Sequence, residues 1–284
     1  LFRSLSTRDT IRLGLNYLRQ KSLLVVPPGA VGPRVGFGNQ IDELGPRDEM
    51  PIRRTRNDFE YLLVSTHRRN QSQLDWGADV RRFQMNDLQS NDARGAMFFN
   101  ANFGRSAVEN FLIGLPSFYR ITLGNLYRGF RNTDWNVFAT ERWSPRPGLT
   151  LNLGLRYEYA GAPGEVNKLT VIPFKSDRNN FGPRVGFAWN HGREVIRGGY
   201  GIAFGRIFPA TFQLARWNPP EVVRVSLTNP DLLNPTKDLN LTGGNSRSTI
   251  FRLDDDLVVP YSQQYTLEVE RPLGKGFRAR AAYV

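Results

Sequence analysis

The sequence of 284 residues contains no cysteine and only two histidines, His67 and His191. The first absence removes disulfides, thiolate metal sites and cysteine nucleophiles together. The second leaves little material for imidazole metal centres or general bases, and both histidines fall in turn-like segments without convergent partners. No apolar stretch approaches the ~18 residues that a membrane-spanning helix needs. The mean hydropathy is negative, but a membrane β-barrel gives the same sign because alternate residues of each strand face a polar lumen. Lysine is scarce, so arginine carries nearly all of the formal net charge of +12. Those arginines are spread along the chain, which fits side chains lining a lumen and outer loops; a polyanion partner is the other reading. Catalytic signatures are missing too: there is no Gly-x-Ser-x-Gly elbow, P-loop or His-Glu-x-x-His motif, and no cofactor is expected. Asp254, Asp255 and Asp256 form an acidic run without the spaced ligands of a calcium loop, and are expected to be solvated.

What is abundant is glycine (27), proline (18) and aromatic residues (12%), a profile of many strands joined by turns. The clearest segment is Leu149 to Tyr159, where Leu149, Leu151, Leu153, Leu155, Tyr157 and Tyr159 alternate with Thr150, Asn152, Gly154, Arg156 and Glu158. A period of two over that length suits a tilted membrane-spanning strand, which needs ~9 to 11 residues. Similar alternation runs through Ile11 to Tyr17, Arg184 to Trp189, Ile196 to Phe204, Tyr265 to Glu270 and Phe277 to Tyr283. Weaker strands are Asp58 to Thr66, Ser72 to Phe83 and Trp135 to Trp143. With a stub before Ser6, about ten strands are expected.

The connections between these strands alternate in length. Short turns are placed at Ser6 to Asp9, His67 to Gln71, Ser144 to Gly148, His191 to Glu194 and Pro272 to Gly276. Long ones are placed at Arg19 to Asn57, Gln84 to Asp134, Ala160 to Pro183 and Gly205 to Pro260. Long structureless loops are uncommon in compact soluble domains, whereas short periplasmic turns and long extracellular loops are the pattern of an outer-membrane barrel. The expected fold is therefore all-β, a partial antiparallel transmembrane barrel. Arg156, Glu158, Arg184, Arg197, Glu268, Glu270, Arg278 and Arg280 share the face opposite the leucines and are the lumen-facing candidates. Trp143 and Trp189 lie beside short turns, and Trp135, Tyr157, Tyr159, Phe204 and Tyr261 beside long loops, as two interfacial girdles require. Val108, Phe111, Leu112 and Leu115 have helical spacing and suggest a short amphipathic turn inside a long loop. Gly32 to Phe37 echoes Gly182 to Phe187 with unmatched flanks, a chance recurrence of a strand-opening pattern.

The phrases TERWSPRPGLTLNLGLRYEY (Thr140 to Tyr159), NNFGPRVGFAW (Asn179 to Trp189), VIRGGYGIAFGR (Val195 to Arg206) and VPYSQQYTLEVERPLGKGFRARAAYV (Val259 to Val284) resemble the barrel of TonB-dependent receptors. Together with QLDWGADVRRF (Gln73 to Phe83) and VENFLIGLPSFY (Val108 to Tyr119), they are most similar to the Oar-like subgroup. The resemblance covers about Asp58 to Val284. It implies a Gram-negative outer-membrane location, contact with outer-membrane lipid, and energy-coupled uptake of an unidentified ligand through TonB, contacted by a segment absent here. No nucleic-acid partner is implied. No signal peptide precedes Leu1, and Ala282-Tyr283-Val284 reads as mid-strand, so residues 1–284 are expected to be one barrel fragment without its plug domain. The competing reading is a soluble all-β module that binds an anionic polymer, carbohydrate or nucleic acid. The two differ at Leu151 and Leu153, lipid-facing in one and core in the other.

Overall fold

A computed structural model describes the chain except residues 1, 31, 39, 40, 238, 241–246, 249 and 275. Lys275 of the last short turn, and parts of the first and last long connections, thus lie outside the described residues. In chain order the elements are β1 (Phe2–Ser4), β2 (Asp9–Leu24), β3 (Arg34–Gly36), β4 (Ile52–Arg69), β5 (Ser72–Gln89), β6 (Ala96–Phe98), α1 (Ala107–Leu112), β7 (Phe118–Gly124), β8 (Tyr127–Arg146), β9 (Leu149–Ala160), β10 (Gly164–Glu165), β11 (Asp177–His191), β12 (Glu194–Phe204), α2 (Pro209–Gln213) with a following 3-10 turn (Leu214–Trp217), β13 (Val222–Thr228), β14 (Arg247–Ser248), β15 (Tyr261–Gly274) and β16 (Phe277–Tyr283).

Ten strands form one continuous antiparallel wall in the order β1-β2-β4-β5-β8-β9-β11-β12-β15-β16, with β10 attached to β8. The sheet is not closed. Every neighbouring pair in the wall follows the other directly along the chain or is separated only by a long connection, and the five hairpin turns all lie at one end. Register carries each face across the strands. Leu15 opposes Tyr61, Val137 opposes Tyr157, Leu153 opposes Val185 and Tyr200 opposes Tyr265, giving an apolar face. The other face, here the charged face, has Asn16 opposite Glu60, Glu60 opposite Arg81, Arg81 opposite Asp134 and Arg197 opposite Glu268.

Nothing among the described residues forms a second layer over the apolar face. Leu15 is 71% exposed, Leu155 51%, Leu153 43% and Leu267 52%. A water-soluble sandwich would bury this row in its core, and a contiguous apolar surface of this extent marks contact with lipid or another apolar partner. Aromatic rings cover close-packed glycines in the wall: a Cβ at Gly77 would lie 2.9 Å from the Phe138 ring, and one at Gly198 would lie 2.5 Å from Phe187. These rings shield backbone that has no side chain of its own.

The long connections are shorter than the sequence implies and are not structureless. Strands β2, β4, β5 and β8 run on to Leu24, Ile52, Gln89 and Tyr127, beyond the length needed to cross a bilayer. Three connections also contribute to a second sheet of five strands, ordered β14-β13-β7-β6-β3, in which only β3 and β6 run parallel. Phe37, Met97, Phe99, Tyr119, Val225 and Leu227 form its buried core, with Ala107 of α1. Gly32 to Phe37 thus enters this small sheet while Gly182 to Phe187 lies in the wall, so the repeated phrase serves two unrelated strands.

Helix α1 forms where VENFLIGL has helical spacing, but its buried face differs from the apolar stripe. The Ser106 hydroxyl accepts from Glu109 N (3.2 Å) and Glu109 Oε2 accepts from Ser106 N (2.8 Å), a reciprocal capping box. Donation from the Ser106 backbone and hydroxyl holds the Glu109 carboxyl below its ordinary pKa. Ala107 and Asn110 are buried, while Leu112 is exposed. The Asn110 amide explains the rotation, because it donates to Asn100 O at 2.8 Å and Asn102 Oδ1 at 2.7 Å and ties the helix to the β6 loop.

Asp92 is the electrostatic pivot of this second sheet. Fully buried, it accepts from Arg120 Nε at 2.7 Å on β7 and from Arg224 Nε at 2.9 Å on β13. Replacing the carboxylate leaves Arg224 without its counter-charge and Arg120 with only a long 4.0 Å pair to Asp48. Asp92→Ala is expected to loosen the small sheet by about 3 kcal/mol. Limited proteolysis checks this: cleavage within residues 90–126 and 205–230 should accelerate while the wall stays protected.

Candidate functional site

The charged face carries a cavity of about 320 Å³ near the long-connection end of β2, β4, β5 and β8. Its wall is built by alternation. Asn16, Arg56, Asp58, Glu60, Arg81 and Asp134 line it, all supplied by strand positions of the same parity. Glu60 is the hub, pairing with Arg81 and accepting from Asn16 Nδ2 at 3.0 Å. Arg81 also reaches Asp79 at 3.5 Å, Arg56 pairs with Asp58 at 2.7 Å, and Asp134 accepts from Gly161 N at 3.0 Å. Arg56 additionally lies over the Phe83 ring, 5.1 Å from its centroid. The site therefore offers paired charges of both signs beside aromatic surface.

The connection after β12 roofs this cavity. Ile207, Phe208, Pro209 and Phe212 border it, and proline at the first position of α2 suits the start of a helix. Phe212 is buried edge-on against Phe130 (5.5 Å between centroids) in a cluster with Met85. Below it, Arg216 is 1% exposed and meets the buried Asp87 of β5 at 2.5 Å. Burial pushes the Arg216 guanidinium below its ordinary pKa, and the Asp87 charge opposes that shift; an arginine remains charged nonetheless. Arg54 donates to the same carboxylate at 3.1 Å through two nitrogens, and Arg128 donates to Arg216 O at 3.2 Å. The roof is thus locked to β4, β5 and β8 by buried charge-assisted hydrogen bonds and by one phenylalanine plug.

The eight charged residues singled out from the sequence all lie on the charged face by register. Glu268 and Glu270 bind Arg197 at 2.8 and 3.1 Å, Arg280 binds Glu268 at 2.5 Å, and Arg278 binds Glu270 at 3.1 Å, a network across β12, β15 and β16. Arg156 pairs with Glu158 at 3.2 Å, and Arg184 sits opposite Gly154 and Gly201. None of the eight borders the 320 Å³ cavity. The residues that do were missed, although Arg54, Arg56, Asp58 and Glu60 keep a period of two that marks one strand face.

The aromatic candidates cluster on the apolar face. Trp135 stacks on Tyr159 (5.3 Å) and approaches Tyr157 (5.5 Å), and Phe204 meets Tyr261 (5.9 Å). Trp143 and Trp189 lie near the short turns, the latter against His191 at 4.6 Å. One placement is corrected: Trp135 does not border a long loop but lies well inside β8, which extends past it to Tyr127. His67 bonds Asp9 across the first two hairpins. Among the described residues no group of three acidic, histidine or cysteine side chains is placed to hold a metal ion, the aspartates at 254–256 included, and no helix is long and apolar enough to cross a membrane.

A family model described as "Outer membrane beta barrel domain" matches residues 18–175 and 169–284. The chain belongs to this outer-membrane β-barrel family. Membership sets its location in the Gram-negative outer membrane. Among solved structures, the chain superposes on the outer-membrane transporter YddB of Escherichia coli with a TM-score of 0.53 and 13% identity. That match covers 98% of this chain and 32% of the transporter, so the barrel-family chain spans about a third of its length. A weaker similarity, with a TM-score of 0.34 and 8% identity, is to the siderophore receptor PirA of Pseudomonas aeruginosa, covering 98% of this chain and 43% of that one. Comparison with curated protein sequences finds no match.

The roof of this barrel-family wall is testable through its plug. Phe212→Ala removes the ring between Phe130 and Met85 and is expected to weaken roof docking by about 3 kcal/mol. Amide exchange should rise at 205–217 and leave β9, β11 and β12 unchanged; uniform exchange across the wall would contradict the assigned role.

Proposed function

We propose that this chain is part of the wall of an outer-membrane transport barrel that takes up a ligand in a TonB-dependent manner. The observation that carries this reading is the two-face register of ten strands, shifted only near strand ends, with the long connections folded over the charged face at one end. In this reading the apolar face meets lipid and the charged face lines the lumen. Arg156, Glu158, Arg184, Arg197, Glu268, Glu270, Arg278 and Arg280 then set lumen polarity. Trp135, Tyr157, Tyr159, Phe204 and Tyr261 form the outer aromatic girdle, and Trp143 and Trp189 the inner one. The roofed cavity is the outward-facing pocket, whose Arg56, Asp58, Glu60 and Arg81 offer donors and acceptors beside the Phe83 and Phe212 rings. TonB would act through a segment outside this chain. The likeness in fold to an outer-membrane transporter supports this reading, and the phrases similar to those of Oar-like receptors point to the same class. No catalytic role is part of the reading, in which residues 1–284 belong to one barrel domain.

Facing is decided by a pair of neighbouring substitutions. Leu153→Arg places a charge on the apolar face at mid-strand and is expected to destabilise by about 2 to 4 kcal/mol, while Asn152→Arg on the charged face is tolerated. Urea unfolding in vesicles, followed by heat-modifiable gel migration, reads both. Equal effects, or recovery of the protein in a soluble fraction, would remove the proposal.

A further inference from the structure

The short-turn end of the wall carries exposed arginine at every hairpin, two of them (Arg68 and Arg69) at the β4–β5 turn, where Arg68 is bonded to Gln73. Arg8 lies in the β1–β2 turn, Arg69 ends β4, Arg146 ends β8, Arg193 lies in the β11–β12 turn and Arg271 lies near the end of β15. These turns are consecutive along the wall and each is two strands from the next, about 10 Å apart at ordinary strand spacing. The arginines thus form a row.

Their facing is specific. Arg69 has the parity of Tyr61 and Leu63, Arg146 pairs with Leu149 beyond a register shift, and Arg271 has the parity of Leu267 and Val269. These three extend the apolar face past its last hydrophobic residues instead of turning to the charged face. Acidic neighbours at this rim are already engaged: Asp9 by His67 and Ser6, Glu141 by Ser72, and Glu194 by Arg271 at 3.3 Å. Arg8, Arg69, Arg146 and Arg193 form no ion pair or side-chain hydrogen bond among the described residues. This differs from the opposite end, where Arg54, Arg120, Arg216 and Arg224 are held by the buried Asp87 and Asp92.

We infer that this rim is a binding surface for anionic phospholipid headgroups of the periplasmic leaflet, an inference that rests on the membrane facing proposed above. Guanidinium groups just beyond an apolar band reach the phosphate level while their stems stay in apolar surroundings. Their fork of donors matches phosphate oxygens. A negative leaflet attracts each such charge, and the attraction falls off within a Debye length. The occupant is a lipid and not a soluble polyanion because the row follows the lipid-like face, with Trp143 and Trp189 beside it.

Those tryptophans supply the probe. The protein is reconstituted in phosphatidylcholine bilayers containing a minor fraction of phosphatidylglycerol, with bromines either on the phosphatidylglycerol or on an equal amount of phosphatidylcholine. Tryptophan quenching should be stronger from the brominated phosphatidylglycerol, reflecting a local enrichment of about fivefold per engaged arginine. The combined substitution Arg8→Gln, Arg69→Gln, Arg146→Gln and Arg193→Gln should abolish that preference while heat-modifiable migration is retained. Should the variant not fold, the unsubstituted protein serves: its preference must fade as the Debye length shrinks from about 30 Å at ~0.01 M salt to about 3 Å at ~1 M. Equal quenching by the two lipids would overturn the headgroup site and leave the barrel facing intact. Absence of quenching by either lipid would overturn both. A preference that survives in the variant would show that other residues select the lipid.

Discussion

In hydrocarbon a backbone N–H or C=O has no water to turn to, so each strand must find its partners in its neighbours. The ten-strand wall is organised around that requirement. Antiparallel hairpins satisfy it locally, and the side-chain period of two then sorts the residues without further information. Because a one-residue slip would exchange the two faces of a strand, continuity of register from Leu15 to Tyr265 is the constraint on which the charged network, the aromatic rows and the cavity all depend. Loss of register in one strand would carry Arg197 or Glu60 into the apolar face and leave their partners behind.

Above the wall the balance of forces changes. The second sheet is small, and its apolar core is a handful of residues. Asp87 and Asp92 supply what the core lacks, each buried and each holding two arginines. Such clusters contribute through geometry, since a buried carboxylate accepts only as many donors as its oxygens can reach, and removing the carboxylate strips two guanidinium groups of their shared acceptor. The arginine excess visible in the composition therefore has no single explanation. Some arginines are counter-ions in the outer sheet, some line the charged face, and some edge the short turns.

Where a strand is as long as the bilayer and polar on one side only, its sequence shows it. Leu149 to Tyr159 is read correctly to within a residue for this reason. Strands β4, β5 and β8 are less legible because their upper halves lie beyond the expected bilayer span. There Thr55, Asn57, Gln84 and Asn86 replace the apolar residues on one face, and the contrast that reveals alternation fades. Of the cavity residues, Arg56 fell in the expected long connection, while Asp58 and Glu60 open a strand that is expected only weakly and were not singled out. The second sheet gave still less warning: its strands are as short as two residues and pair with segments far away in sequence. Helix α1 shows the opposite case, a clear local period from which Phe111 packs edge-on against Phe37 and Phe99 while Asn110, off that stripe, is fully buried.

Asp87 lies near the end of β5 and Asp92 in the turn that leads to β6, five positions later on the same strand exit. Each carboxylate gathers one donor from nearby in the chain and one from far along it: Asp87 takes Arg54 and Arg216, and Asp92 takes Arg120 and Arg224. Closing such loops ahead of the wall would carry an entropic penalty with no contacts to offset it. The pairing of β13 with β7, which spans every strand from β8 to β12, therefore gains most from a wall that is already in place.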